Sequence, residues 1–278
     1  MRIKGTLYIC PTPLGNLEDI TLRALRILKE VDYIAAEDTR RTRKLLTHYG
    51  ISTATISFHQ HSTGVQLDRL LTLLQGGKNV ALVSDAGTPG ISDPGQALVA
   101  ACIAENIPVD PLPGPCAAVT ALSASGYPLA SFTFHGFLPR KGLDAAVAAL
   151  ANCSHPVVVY ESPRRVRMLL EHVAAHMPQR EVLLARELTK FHQQLLRGTA
   201  VQLLQELTPD LERGEFTVVL GPWTPAPKEW SEDQLLAKVE DYLAQSISTR
   251  DAVALVSAET GCSRRHLYIL VNKKKQDT

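Results

Sequence analysis

No apolar run in this 278-residue chain approaches the roughly 18 residues that a membrane-crossing helix needs. The opening Met1-Arg-Ile-Lys-Gly-Thr6 has no apolar h-region, so no signal peptide is expected there. The five cysteines, Cys10, Cys102, Cys116, Cys153 and Cys262, are scattered; none forms a CxxC pair and none stands with histidines at zinc-finger spacing. A disulfide framework and a structural zinc are thereby excluded, and reduced thiols in a cytoplasmic protein are expected. An excess of charge is missing too. Lys and Arg number 29 against 28 Asp and Glu, a net charge of +1, which excludes a uniformly basic nucleic-acid coat but leaves room for local basic patches. Neither GxGxxG nor the Walker loop GxxxxGK[ST] occurs, so the common dinucleotide and nucleoside-triphosphate fingerprints are absent.

What is present is ordinary globular material: 45% hydrophobic and 21% charged residues, enough chain for one large domain or two to three small ones. Apolar runs alternate with amphipathic stretches. Thr6–Cys10, Tyr33–Ala36, Asn79–Val83 and Val109–Leu112 read as buried strands. Helices are expected near 21–31, 38–49, 65–74 and 96–105 and from Cys116, with Asp19 as cap of the first. That alternation predicts an α/β layer over 1–125 with a largely parallel sheet. After a pause at Ser125-Gly-Tyr-Pro128, strand-like runs at 132–137, 156–160, 182–185 and 216–220 predict a second α/β domain over 126–223. Pro222-Trp-Thr-Pro-Ala-Pro227 reads as a linker, since prolines so dense suit neither helix nor central strand. Residues 229–278 are predicted to be all-helical, and the turn at Thr260-Gly-Cys-Ser263 suits a helix-turn-helix or an ordinary three-helix bundle.

The chemistry is expected in the loops that leave the strands, because parallel sheets bind ligands at the carboxyl ends of their strands. Pro11-Thr-Pro-Leu-Gly-Asn16 follows the first strand. Ser84-Asp-Ala-Gly-Thr-Pro-Gly-Ile-Ser-Asp-Pro-Gly95 follows a fully apolar one and lets backbone approach a ligand while holding Asp85 as an acceptor. Leu112-Pro-Gly-Pro-Cys116 repeats that design on the next strand, so two such loops would wall one small-molecule pocket. Ala36-Glu-Asp-Thr-Arg-Arg-Thr-Arg-Lys44 puts two carboxylates at a strand end and four cations in the next helix, either a solvated face or an acid beside phosphate-binding arginines. Arg186-Glu-Leu-Thr-Lys190 lies just beyond a strand and is expected to be extended, so that alternation sets Arg186, Leu188 and Lys190 on one side, opening toward the cleft. His59-Gln-His61 has no acidic or thiol neighbours in sequence and is not read as a metal site; no metal is expected.

Together these segments resemble the RsmI-type 16S rRNA (cytidine-2′-O)-methyltransferases of the tetrapyrrole (corrin/porphyrin) methylase superfamily. The resemblance runs in order through Gly5-Thr-Leu-Tyr-Ile9, Thr12–Asp19, Ala36-Glu-Asp-Thr-Arg40, Ser84–Pro89, Ile91–Gly95, Leu112–Pro115, Gly136-Phe-Leu-Pro-Arg140, Tyr160-Glu-Ser-Pro-Arg164, Ala185–Lys190 and Gly214-Glu-Phe-Thr217. It implies two α/β domains with S-adenosylmethionine (SAM) in the cleft between them, a small helical C-terminal domain, a homodimer, and methylation of a cytidine ribose in the decoding region of 16S rRNA within the 30S subunit. By position it implies a SAM pocket of Pro13, Asp85, Ala86, Gly87, Thr88, Cys116, Ala117, Glu161, Thr217 and Val218. Cys116 departs from the commoner Ser after Pro-Gly-Pro, and Gln193 stands where an acid is usual.

Methyl transfer from a sulfonium is an in-line displacement that proceeds without a metal and gains much of its rate from positioning. A ribose hydroxyl is a poor nucleophile, so a group that takes its proton helps. Glu37, Asp38, Glu187 and Lys190 are the candidates, with Arg186 beside them, and the sequence does not rank them. Arg40, Arg140, Lys141 and Arg164 are candidates for RNA phosphate. Two other readings compete: methylation of a small tetrapyrrole precursor, which would need neither basic clusters nor a helical tail, and a non-enzymatic nucleic-acid binder, which would leave the three strand-end loops without a purpose.

Overall fold

The computed structural model describes residues 4–59, 64–224 and 230–276. Strands β1 (Leu7–Ile9), β2 (Tyr33–Ala36), β3 (Ala54–Ser57), β4 (Val80–Val83) and β5 (Val109–Pro111) form a sheet of order β3-β2-β4-β1-β5 in which every pair is parallel. Helices α1 (Leu22–Glu30) and α2 (Thr39–His48) cover one face, where Leu28 and Leu46 meet Ile34, Ala36, Ala81 and Val83. Helices α3 (Gly64–Gln75) and α4 (Gln96–Ala104) cover the other, where Leu70, Leu74, Leu98 and Cys102 meet Ala35, Val80 and Leu82. A sheet buried on both faces is why these strands read as continuous apolar runs. β3 was absent from the sequence reading because it is an edge strand: of Ala54-Thr-Ile-Ser57 only Ile56 is buried. The cap of α1 is Thr21, whose hydroxyl accepts from the Ala24 N–H, and not Asp19, which lies in a preceding 3-10 turn capped by Asn16.

Helix α5 (Ala117–Ser123) leaves the first sheet and packs Ala118, Ala121 and Leu122 on Val158, Leu183 and Val219 of the second. That sheet consists of β6 (Thr133–Phe137), β7 (Val157–Glu161), β8 (Glu181–Arg186), β9 (Gln194–Thr199) and β10 (Phe216–Leu220), in the order β6-β7-β10-β8-β9. Only β6 and β7 run parallel; the other pairs are antiparallel. Its far face is covered by α6 (Leu143–Leu150), α7 (Val166–His176) and α8 (Ala200–Glu206) through Val147, Leu169, Leu170, Val173 and Leu203. β9 went unanticipated for the same reason as β3: Gln194-Leu-Leu-Arg-Gly-Thr199 is a half-buried edge strand without an apolar run. The two sheets belong to one compact unit, residues 1–224.

Residues 225–278 form a second compact unit. The prolines at 225 and 227 lie outside the described residues. Helix α9 (Glu232–Ala244) starts in a capping box between Ser231 and Gln234, α10 (Thr249–Thr260) is capped by Ser248, and α11 (Arg264–Gln276) follows a three-residue turn. Leu235, Val239, Val253, Val256, Leu267 and Leu270 make one core, so the unit is a three-helix bundle with a helix-turn-helix connection between α10 and α11. Gly261 ends α10 with φ +74°, a conformation that glycine adopts without Cβ strain.

Candidate functional site

Chain leaves β1 and β4 on opposite faces of the first sheet, which opens a crevice at their carboxyl ends. Two hydrogen bonds close its floor, Thr12 N–H to Gly87 O and Gly87 N–H to Thr12 O, both 2.9 Å. Gly87 has φ +82°, and a Cβ there would lie 3.2 Å from Leu14 Cδ2, so both its conformation and its neighbours call for glycine. The Thr88 hydroxyl donates to Pro115 O at 2.9 Å and ties the β4 loop to the β5 loop. Three glycine- and proline-rich segments thus become one wall.

The opposite wall comes from the second sheet. Between them lies a cavity of about 400 Å³, in the range of small-molecule sites. Asp85, Ala86, Gly87, Thr88, Cys116, Ala117, Glu161 and Thr217 all line it, and so does Glu37. Tyr160 braces it, accepting from the Ala118 N–H at 3.1 Å and meeting Phe134 and Phe137 edge-on at 5.0 and 5.7 Å.

Its electrostatics favour a cation. Glu37, Asp85, Asp93, Glu161 and Glu215 face the cavity against one lining cation among the described residues, Arg41, which pairs with Asp85 at 3.2 Å. Glu161 is only 2% exposed; its Oε1 accepts from the Ser162 N–H at 2.7 Å, while Oε2 accepts no hydrogen bond and has Arg165 at 3.4 Å. Burial raises the Glu37 carboxyl above its ordinary range, the Asp85 N–H bond opposes this, and the Asp85 charge adds to it. Asp93 is pushed up to about 7, first by burial and then by the Glu37 charge, with a Ser84 hydrogen bond opposing.

Several expected site residues stand elsewhere. Pro13 lines a smaller adjoining hollow of about 230 Å³ that shares Arg41 and Asp85 with the cavity. Val218 is fully buried against α6–α8, because alternation along β10 sends it to the face opposite Thr217. Asp38 caps α2, accepting from the Arg40 N–H at 2.8 Å and pairing with the Arg40 guanidinium at 2.8 Å, which holds its carboxyl well below the usual range. A carboxylate so engaged is a poor proton acceptor. The segment after Arg186 is not extended: Glu187 and Thr189 have φ +52° and +63°, so the alternation assumed for Arg186 and Lys190 does not apply. Arg186 donates to Arg213 O and Gln194 Oε1, and Lys190 pairs with Glu187 at 2.9 Å and Glu215 at 3.0 Å. None of Arg186, Glu187 and Lys190 lines the cavity. Lys190 instead lays its stem on Gly15, where a Cβ would come within 2.1 Å of Lys190 Cγ. Arg140, Lys141 and Arg164 are exposed; Arg165, not Arg164, is the anchored one, donating to Leu138 O and Pro139 O.

Asp93, Arg41 and Tyr160 were missed as site residues although all lie in quoted motifs. The Ile91-Ser-Asp-Pro-Gly95 turn carried the signal for Asp93, but only the fold aims it at Glu37. Of the paired histidines, His59 lines a second cavity and His61 falls outside the described residues. No group of three His, Cys, Asp or Glu is arranged to hold a metal ion among the described residues.

Comparison with known proteins agrees with this geometry. Residues 6–204 match the family Tetrapyrrole (Corrin/Porphyrin) Methylases. A protein of Halalkalibacterium halodurans named ribosomal RNA small subunit methyltransferase I is 42% identical over 98% of this chain and 96% of its own. One of the same name from Synechocystis is 43% identical over 96% and 97%. A third, from Thermotoga maritima, is 46% identical over 218 residues, 78% of this chain but 98% of its own. Among solved structures, a Thermus thermophilus uroporphyrin-III C-methyltransferase complexed with S-adenyl homocysteine has a TM-score of 0.55 at 17% identity over 78% of this chain and 97% of that one, which shows the fold. The chain belongs to the tetrapyrrole (corrin/porphyrin) methylase family, in company with the ribosomal RNA small subunit methyltransferases I.

Proposed function

We propose that this protein transfers a methyl group from SAM to the ribose 2′-oxygen of a cytidine in the decoding region of 16S rRNA, acting on the 30S subunit as a cytoplasmic homodimer and without a metal. The carrying observation is the near full-length identity of 42–43% with two proteins named for small-subunit rRNA methylation. Likeness to enzymes of porphyrin and corrin chemistry is confined to the fold, at 15–22% identity, so nothing favours a tetrapyrrole precursor over RNA.

The residues of the cavity fit SAM. Its sulfonium and ammonium groups call for anionic surroundings, and five carboxylates facing one paired arginine supply them. Asp85 and Glu161 are the acceptors proposed for its polar groups, and the backbone of 85–88 and Ala117 lies against it. When bound, SAM supplies an electrophilic methyl carbon and a neutral thioether leaving group. The walls' work is to orient it and exclude water, so that much of the barrier is met by positioning. The basic helix α2 is proposed to hold RNA: Arg40, Arg43, Lys44 and His48 are exposed on it, with no acidic residue among its ten. Arg140, Lys141 and Arg164 are proposed to contact phosphate from the second sheet.

The direct test incubates the protein with SAM and 30S subunits from a strain lacking the gene, then maps 2′-O-methyl groups in 16S rRNA by mass. No new methyl group on a cytidine ribose overturns the proposal.

The bundle at 225–278 is proposed as an accessory RNA grip, carrying exposed Arg250, Arg264 and Arg265. The Thermotoga maritima relative is matched almost end to end by 218 residues, close to the 224 of the first unit, so chemistry is proposed to reside there. A chain ending at residue 224 is expected to keep SAM affinity and kcat while its KM for 30S subunits rises about tenfold, the effect of losing a few phosphate contacts. Unchanged KM in steady-state assays would show that the bundle does not touch the substrate.

A further inference from the structure

A second cavity of about 450 Å³ abuts the SAM cleft on the side of the first sheet. Its walls include Phe58 and Leu67 on one side and the first turn of α4 on the other, where the N-cap Gly95 offers no side chain to the free N–H groups. An apolar wall opposite backbone donors suits a nucleoside, whose base is flat and whose sugar is polar. Glu37, Ser92 and Asp93 line both cavities and are the whole of their common boundary among the described residues.

We propose that this second cavity receives the methyl-accepting nucleotide and that Asp93, standing at the partition, takes the proton from its hydroxyl. The inference rests on the reading of the protein as a SAM-dependent methyltransferase. In-line transfer places the nucleophilic oxygen between donor and acceptor pockets, so its proton acceptor must be reachable from both. Of the three partition residues, Ser92 is not a base; Glu37 and Asp93 each accept a hydrogen bond, from the Asp85 N–H at 3.3 Å and from the Ser84 side chain, but Glu37 also has two basic side chains, Arg41 and His59, acting on it. Asp93 is held in place by backbone: Ser92 has φ +63° and packs under Gly136, where a Cβ would meet Ser92 Oγ at 2.5 Å. In the step, the O–C bond forms as the S–C bond breaks, the bonding pair returns to sulfur as the thioether lone pair, and the hydroxyl proton moves to the Asp93 carboxylate and then to water.

The neighbouring charges suit that task. Glu37, Asp85 and Tyr160 face Asp93, Arg41 and His59 act on Glu37, and burial with the Glu37 charge brings Asp93 to about 7, where a base is both ionised and strong enough to work. Bound cationic SAM favours the ionised form, so the rate should rise with pH through an inflection at or below 7 and then level.

The test uses the full chain. Asp93→Asn is expected to lower kcat about 100-fold at saturating SAM and 30S subunits, SAM binding being weakened by the loss of one of five cavity carboxylates but still saturable, and Asp93→Glu to recover part of the loss with the pH inflection displaced. A second readout needs no turnover: ¹³C NMR of aspartate carboxyls in the SAM-free protein should show one titration near 7 that Asp93→Asn removes. Asp93→Asn with wild-type kcat and pH profile, or an Asp93 titration in the ordinary range near 4, overturns the inference. Failure of the functional reading shows differently, as wild-type protein that leaves 30S subunits unmethylated.

Discussion

Arg180→Ala is expected to cost about 4 kcal/mol of folding stability and to lower the melting temperature of the first unit by roughly 10 °C. Arg180 is fully buried, with no acidic partner among the described residues. Its guanidinium instead donates to four carbonyls: Gly221 O at 2.7 Å, Leu150 O at 2.9 Å, His155 O at 3.2 Å and Cys153 O at 3.3 Å. These lie at the ends of α6 and β10 and on the approach to β7, so one side chain closes three backbone ends of the second sheet. Burial lowers its pKa to about 10, which leaves it charged at neutral pH. Alanine would strand four buried acceptors at about 1 kcal/mol or more each. Arg180→Lys should recover less than half, since an ammonium has three donors and no planar fork. Thermal or urea unfolding measures both; a loss under about 1 kcal/mol for alanine would mean that water replaces the guanidinium there.

For ligand binding, the largest loss is expected at Asp85. Asp85→Ala should weaken SAM binding by about 10- to 100-fold, the worth of a hydrogen bond to a charged group. It removes a carboxylate from the cavity and releases Arg41, now paired with it at 3.2 Å, to repel the cationic ligand. Asp85 also accepts from the Asp38 N–H at 3.1 Å, so alanine perturbs the end of β2 as well. Asp85→Asn keeps an oxygen for that bond and loses only the charge. If charge is the cause, calorimetric titration will find Asn nearly as weak as Ala. Wild-type affinity in Asp85→Asn would show that the sulfonium and ammonium groups lie away from this wall.

Much of the first sheet was legible because its strands are buried on both faces and announce themselves as apolar runs, as Val80-Ala-Leu-Val83 does. Edge strands β3 and β9 were not, since half of each faces solvent and neither periodicity nor composition sets Ala54–Ser57 apart from a loop. The mixed direction of the second sheet was also illegible: β8 and β10 read like any buried strand, and only pairing shows that they run antiparallel. In the site, the loops at 11–16, 84–95 and 112–116 were found by their glycines and prolines, which strand-end turns require. The error at Lys190 came from assuming extended backbone where Glu187 and Thr189 turn left-handed without a glycine to signal it.

By itself, then, the sequence determined the two α/β layers, the helical tail, the family and the loops that wall the cavity, because burial pattern and turn chemistry are local and written in residue type. Only the tertiary structure decided which acidic residues work together. Asp38 and Glu37 are chain neighbours, yet one is spent capping α2 while the other enters the cavity with Asp85 and Asp93, which come from another strand's loop. The proton affinity of a carboxylate depends on burial and on charges a few ångströms away, and those distances exist only once β2 and β4 have paired and brought their loops together at one edge of the sheet.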